Sequence, residues 1–386
     1  MHILLLTDGI FPHAMGGMQK HSYYLAKYLA KNKVKVILYH CTVDHQSLEN
    51  DGADTTVFTE EELQCIDFRY FQFPKTDSLP GHYVRENKAY SSLIYEDVKR
   101  ELSQVDLIYA QGYTGWRFIQ EHLAGKVERP ILVNFHGNNM FYRAYSFTAS
   151  LQNMMLKPTA KWMCQHADYV VSLGGKLTET IQQIPVSSRQ ILETPIGIEV
   201  SWLKADISQK TDETTRFVFV GRYDKVKAIE ELNGAIQNLI RDQENFEFHF
   251  IGPIPEAKQI ANEKVSYHGA IHEQEKIQEQ LRKCDILVCA SHSEGMPTVI
   301  LEAMASGLAI IGTNVGAIPE QIEGNGWLIE TNAIPVLTEA LKTACSADKE
   351  RMDGYKTRSL ELIREKFLWE KTIELTIEQF TEIVKG

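Results

Sequence analysis

Two carboxylates stand eight residues apart in HSEGMPTVILEA, residues 292–303: Glu294 just ahead of a Gly and a Pro, and Glu302 inside an apolar run with helical character. A charge rarely enters such a run without a partner. Pro297 suits the first position of a helix, where its missing N–H costs nothing, and Gly295 lets the preceding backbone approach a ligand closely. Thr298 and Glu302, four apart, share a helix face. Eight helical steps span about 12 Å, too far for a pair that acts on one bond from about 5 Å. That spacing suits two carboxylates accepting hydrogen bonds from hydroxyls at two ends of one elongated ligand. For Glu302 a second reading stays open, a buried Glu paired with a nearby cation.

Three further groups follow apolar, strand-like runs. In FVFVGRYDKVK, Gly221 is followed by Arg222 and Lys227, a planar fork and a point charge able to converge on one anion such as a diphosphate; a solvated basic turn is the plainer reading. VNFHGNN places His136 at the end of a strand, where a lone His is more often structural than catalytic. In TDGIFPHAMGGMQKH, Gly16 and Gly17 precede a helix whose unpaired N–H groups favour an anion, although a Gly pair is as often a tight turn. This is not the GxGxxG fingerprint, and no acidic residue closes the second strand, which argues against a dinucleotide cofactor.

These groups need a frame that brings strand ends together. Apolar β-rich runs (HILLLT, KVKVILYH, VDLIYA, PILVNFH, DYVVSL, then RFVFVG, FEFHFIG, DILVCA, LAIIGT, GWLIE) alternate with amphipathic helical stretches across 386 residues. Strands buried on both faces and separated by helices form parallel sheets, and open sheets of this kind bind ligands beyond the carboxyl ends of their strands. The length exceeds one hydrophobic core and predicts two domains of about 150–200 residues. The polar segment SQKTDETT, 208–215, reads as the tail of a linker between them. Net charge is −11, which disfavours a nucleic-acid footprint. The six cysteines show no CxxC or metal-ligand spacing and read as reduced, buried thiols. MHILLLTDGIF reads as a first strand, not as a signal peptide, and no run of about 18 apolar residues spans a membrane.

With Glu294 and Glu302 in the frame HSEGMPTVILEAMASGLAIIGTNVGAIPE, GGMQKHSYYLAKYLA after the glycine pair, Gly221–Arg222–Lys227, and a late Trp in FLWEKTIELTIEQF, the chain resembles the family 4 retaining glycosyltransferases over its full length. ADYVVSL and VSYHGAI resemble further strands of that family. The resemblance implies a GT-B fold: α/β, two Rossmann-like domains with parallel sheets facing across a cleft. Residues 1–197 with 369–386 would form the acceptor-side domain, the last helix crossing back, and 198–368 the donor domain. It implies that Arg222 and Lys227 bind the donor diphosphate, and that Glu302 holds the ribose hydroxyls. Glu294, with Gly295, Met296, Pro297 and Thr298, would hold the donor sugar. Gly16 and Gly17 would line the phosphate and acceptor side, the backbone near Ile271 would meet the base, and His136 would lie near the reacting face of the sugar. Catalysis would rest on His136, Arg222, Lys227 and Glu294, with no metal and no cofactor beyond the nucleotide-sugar substrate, a UDP-sugar ahead of a GDP-sugar.

Three departures from the family pattern stand out. PIGIEV carries Ile196 and Glu199 where Asn and Asp are usual, Ala228 follows Lys227 in place of Gly, and Gln19 replaces a common Glu. The expected acceptor is a glycan or lipid-linked hydroxyl, met by loops near 75–90 and 137–150. The expected location is the cytoplasm. Peripheral contact with the inner membrane face is a second expectation, resting on NMFYRAYSFTASLQNMMLKPTAKWMC, 139–164, whose plainer reading is a core-facing helix. Two rivals share the architecture: a nucleotide-sugar 2-epimerase, which needs no acceptor, and a non-catalytic sugar-nucleotide binding protein.

Overall fold

The computed structural model describes residues 1–13, 16–41, 57–75, 81–137, 139–141, 147–186, 190–203 and 213–386. The chain forms two compact units, Met1–Ile196 with Trp369–Gly386, and Gly197–Leu368. Residues 76–80, 138 and 142–146 of the expected acceptor loops, and 208–212 of the expected linker, lie outside the described residues.

In the first unit, seven parallel strands are described: β1 (His2–Leu6), β2 (Lys35–His40), β3 (Ile66–Tyr70), β4 (Leu107–Gln111), β5 (Ile131–Asn134), β6 (Tyr169–Ser172) and β7 (Ile191–Glu193), in the spatial order 3-2-1-4-5-6-7. Ile3 to Leu6 are fully buried, as a central strand covered by helices on both faces requires. β3 and β7 escape pattern reading for a physical reason. IDFRY carries Asp67 and Arg69, and ILE is three residues long at the sheet edge, so neither makes a continuous apolar run.

The helix Trp369–Lys385 belongs to this unit. Trp369 is buried against the first helix, Gly17–Lys31, with its ring stacked at 5.6 Å from Tyr24 and 5.5 Å from Tyr28. Farther along, Thr194 donates to the Gln379 side chain at 2.8 Å, tying the helix to the end of β7.

The second unit repeats the plan with six parallel strands described: β8 (Thr215–Val220), β9 (Phe246–Ile251), β10 (Val265–Tyr267), β11 (Ile286–Cys289), β12 (Ala309–Thr313) and β13 (Gly326–Ile329), in the order 10-9-8-11-12-13. In both sheets the order reverses beside the first strand, between β1 and β4 and between β8 and β11. These are the switch points where connections leave to opposite faces and the strand ends open a crevice. Lys356 and Asp285, each 3% exposed, pair at 2.7 Å at the opposite, amino-terminal end of β11.

All six cysteines are free, and burial pushes the thiols of Cys41, Cys164, Cys284 and Cys289 up to about 12. No helix among the described residues is long and apolar enough to cross a membrane. In the helix Phe147–His166, Ala160, Met163 and Cys164 join the core, whereas Leu151 and Met154 are exposed. The core-facing reading therefore describes the second half of that helix.

Candidate active site

The second unit assembles its site from two adjacent strand ends. Register pairs Ile286 with Phe217 and Leu287 with Val218, so β11 and β8 release their chains side by side. After β8, Asp224 accepts the Val226 N–H at 3.0 Å and closes a short 3-10 turn, Lys225–Lys227. After β11, the His292 N–H donates to the Val226 carbonyl at 2.8 Å, which laces the two loops together. Lys227 Nζ consequently reaches Glu294 Oε1 at 2.6 Å, and Ser291 Oγ donates to the same oxygen at 2.6 Å. Burial pulls the Lys227 ammonium down, but the charge and hydrogen bond of Glu294 outweigh it and hold the pKa above its ordinary value.

Arg222 behaves differently from Lys227. Its side chain is 77% exposed and meets Asp224 at 3.5 Å. Of the two cations expected to converge on one anion, Lys227 is anchored on Glu294 and Arg222 projects into solvent. Ala228, the departure after Lys227, adopts φ 52° and ψ 40°. Left-handed backbone costs an L-residue about 1–2 kcal/mol, which explains why glycine suits this position.

Behind Glu294 the backbone is held by Gly316. At φ +57°, a Cβ on Gly316 would stand 2.3 Å from the Glu294 carbonyl oxygen and 2.4 Å from that of Gly295. The Ala317 N–H donates to the Gly295 carbonyl at 2.8 Å. The following helix spans Thr298–Ala305, so Pro297, expected at the first helical position, is instead the residue that caps it. Its φ of −69° and ψ of 115° show extended backbone, as a residue leaving a loop adopts. Ile300, Leu301, Ala303, Met304 and Ala305 are buried, while Thr298 and Glu302 lie together on the half-buried face. Met296 and Pro297 are buried and Gly295 is half-buried. Ile271 is half-buried past β10, beyond the point where Gly252 N–H bonds the Gly269 carbonyl at 2.7 Å.

In the first unit, Gly16 caps the helix Gly17–Lys31, and a Cβ on Gly17 would meet nothing within 4 Å among the described residues. Gln19 donates to Asp8 Oδ1 at 3.0 Å, so the amide that departs from the family's Glu supplies a proton where a second carboxylate would repel. Burial raises Asp8 to about 6, against the lowering effect of that bond. His136 has φ 58°, a left-handed conformation uncommon for a residue with a side chain. Its N–H donates to Asn134 Oδ1 at 2.8 Å, and its ring Nε2 lies 3.0 Å from Gln111 Oε1. Burial first, and His21 second, drive its pKa well below the ordinary value, so the imidazole is neutral.

Sequence reasoning missed Ser291, Gly316, Gln111 and Asp8. Ser291 and Gly316 lie within or beside the quoted motif, but their importance depends on which backbone they touch. Gln111 and Asp8 end or follow strands, the one signal that marked them.

The family described as Glycosyltransferase Family 4 matches residues 15–202, and that described as Glycosyl transferases group 1 matches residues 214–346. An uncharacterized glycosyltransferase of Methanocaldococcus jannaschii, MJ1178, is 30% identical over 282 residues, 71% of this chain and 74% of the relative. TuaC of Bacillus subtilis, a glycosyltransferase assigned to teichuronic acid biosynthesis, is 25% identical over 277 residues, 68% of each chain. Sucrose-phosphate synthase from Thermosynechococcus elongatus shares the fold with a TM-score of 0.77, at 17% identity over 99% of both chains. The chain belongs to the group 1, family 4 glycosyltransferases, enzymes of GT-B fold.

Proposed function

We propose that this glycosyltransferase is a retaining, metal-independent hexosyltransferase that takes a hexosyl group from a nucleoside-diphosphate sugar, a UDP-sugar ahead of a GDP-sugar, and places it on a hydroxyl of a glycan or lipid-linked acceptor. The observation that carries this reading is the Lys227–Glu294 pair at 2.6 Å beyond β8 and β11. A cation and a carboxylate side by side complement a ligand that carries phosphate charge next to sugar hydroxyls, as a nucleotide sugar does at its scissile bond. Donor binding would offer Lys227 a phosphate oxygen and Glu294 a hydroxyl donor, replacing the pair they form with each other. Charge builds on the diphosphate as the sugar–phosphate bond breaks, so Lys227 and Arg222 stabilise the transition state more than the ground state.

In this reading Glu294 and the backbone from Gly295 through Met296 and Pro297 to Thr298 hold the sugar, Glu302 accepts from the ribose hydroxyls, and the backbone near Ile271 meets the base. Gly16 and Gly17 serve the phosphate and acceptor side, and His136 serves the sugar as a neutral hydrogen-bonding group. The likeness to TuaC supports a polysaccharide acceptor. Incubation with labelled UDP- and GDP-hexoses tests the donor: nucleoside diphosphate should be released, with unchanged rate in EDTA and with the anomeric configuration retained in the product. A folded protein that neither binds nor cleaves any nucleotide sugar would refute the reading.

A further inference from the structure

The ends of β4 and β5 hold His136 by two different handles. Gln111 and Asn134 are the last residues of those strands and are register partners. Asn134 takes the backbone: its Oδ1 accepts the His136 N–H at 2.8 Å, while its Nδ2 donates to Tyr109 Oη at 2.9 Å. Gln111 takes the ring. Its Oε1 lies 3.0 Å from His136 Nε2 and also accepts from Ser22 Oγ at 2.8 Å, and its Nε2 faces His21 Nδ1 at 3.4 Å. Gln111 is fully buried, and its neighbours Ser22 and His21 are buried as well, so its amide has little freedom to turn. His136 Nδ1 is buried and has no hydrogen-bond partner among the described residues. A buried polar ring atom without a partner is costly, and sites that bind ligands are where such atoms persist.

We infer that Gln111 is a positioning residue that fixes His136 as the Nε2–H tautomer and leaves Nδ1 as a free acceptor for a substrate hydroxyl. An amide oxygen accepts and cannot donate, so a ring nitrogen bound to it must carry the proton. The other ring nitrogen then bears a lone pair. Neutral imidazole in solution exchanges between its two tautomers, whereas this ring is held in the one that can receive an O–H. His136 thus recognises its partner as a hydroxyl donor, not as an anion. This inference deepens the proposed transfer reaction and rests on it for the identity of the hydroxyl.

The test is nitrogen NMR on the full chain labelled at histidine, compared with Gln111→Met and Gln111→Glu. The unsubstituted protein should show His136 with one protonated Nε2 and one unprotonated Nδ1. Gln111→Met, which removes the acceptor at similar volume, should give a mixture of tautomers and a fall in transfer kcat of about tenfold. Nucleoside-diphosphate binding should stay within about twofold, because Lys227 and Arg222, the cations proposed for the diphosphate, belong to the other unit. Gln111→Glu, which keeps an acceptor oxygen, should restore the Nε2–H form. A purely structural role for Gln111 would instead lower stability and nucleotide binding together without changing the tautomer. An Nδ1–H signal or a mixture in the unsubstituted protein overturns the inference, as does Gln111→Met with an unchanged tautomer. Absence of transfer by the unsubstituted protein would sink the proposed reaction, while the tautomer measurement still decides the inference.

Discussion

Lys227 Nζ and Glu294 Oε1 lie 2.6 Å apart, yet their loops are separated by the three strands β9, β10 and β11 and two α-helices in the chain. They meet because β8 and β11 are neighbours in the sheet. The same geometry leaves Arg222, five residues from Lys227, exposed. Lys227 and Arg222 should therefore fail in different ways. Lys227→Met strands the carboxylate of Glu294, so it should lower the unfolding midpoint and reduce transfer about 100-fold or more. Arg222→Ala should leave the midpoint unchanged and weaken nucleotide affinity about tenfold, the worth of one charge-assisted hydrogen bond. Thermal melts beside calorimetric titration with a nucleoside diphosphate separate the two.

Gly316→Ala should disturb the donor site without altering any charged side chain. Left-handed backbone alone costs an alanine about 1–2 kcal/mol, and the added Cβ would press on the Glu294 and Gly295 carbonyls. The loop must move, so donor affinity should fall more than stability requires. A variant that is destabilised but binds donor normally would contradict this placement.

Asp8 and His21 make opposite pH contributions. Folded Asp8 titrates near 6 against an ordinary 3.8, so the folded state binds the extra proton between those values, and stability falls as pH rises from about 4 to 6. Folded His21 titrates near 4 against 6.5, so the unfolded state takes the proton first, and stability falls as pH drops from about 6.5 to 4. Asp8→Asn keeps an acceptor for Gln19 and removes the buried charge. It should stabilise by about 1–2 kcal/mol at pH 8, less than a fully desolvated shift of this size implies, and by almost nothing at pH 4. Urea titrations at the two pH values measure the difference.

Lys356→Met leaves Asp285 buried and without its ion-pair cation, while the Arg216 N–H still donates to it at 2.8 Å. The expected cost is about 3–5 kcal/mol by chemical denaturation. Adding Asp285→Asn should recover part of it, because the stranded charge is then gone. Donor affinity should be unaffected in both, since this pair sits at the end of β11 away from Glu294.

Much of this arrangement is legible in the sequence. Doubly buried strands such as HILLLT and DILVCA announce themselves by continuous apolar runs, and the rule that ligands gather past strand ends selected Gly221, Glu294 and His136. The short edge strand ILE and the charged IDFRY were not legible, because edge strands need no apolar run. The Lys227–Glu294 contact was not legible either. Sequence spacing shows that both residues follow strands, but only the order 10-9-8-11 makes those strands adjacent. Gly316 is one glycine among 24, and its role appears only when a Cβ is set against the Glu294 carbonyl. Gln111 looks like a polar strand end until the His136 ring is seen to turn toward it.

The most direct test of the account is nucleotide release from a panel of UDP- and GDP-hexoses by the unsubstituted protein and by Glu294→Gln and Lys227→Met. One nucleotide sugar should be cleaved by the unsubstituted protein, and both substitutions should suppress this at least about 100-fold while the fold survives. Undiminished cleavage in both variants would contradict it, as would a folded protein that cleaves none of the panel.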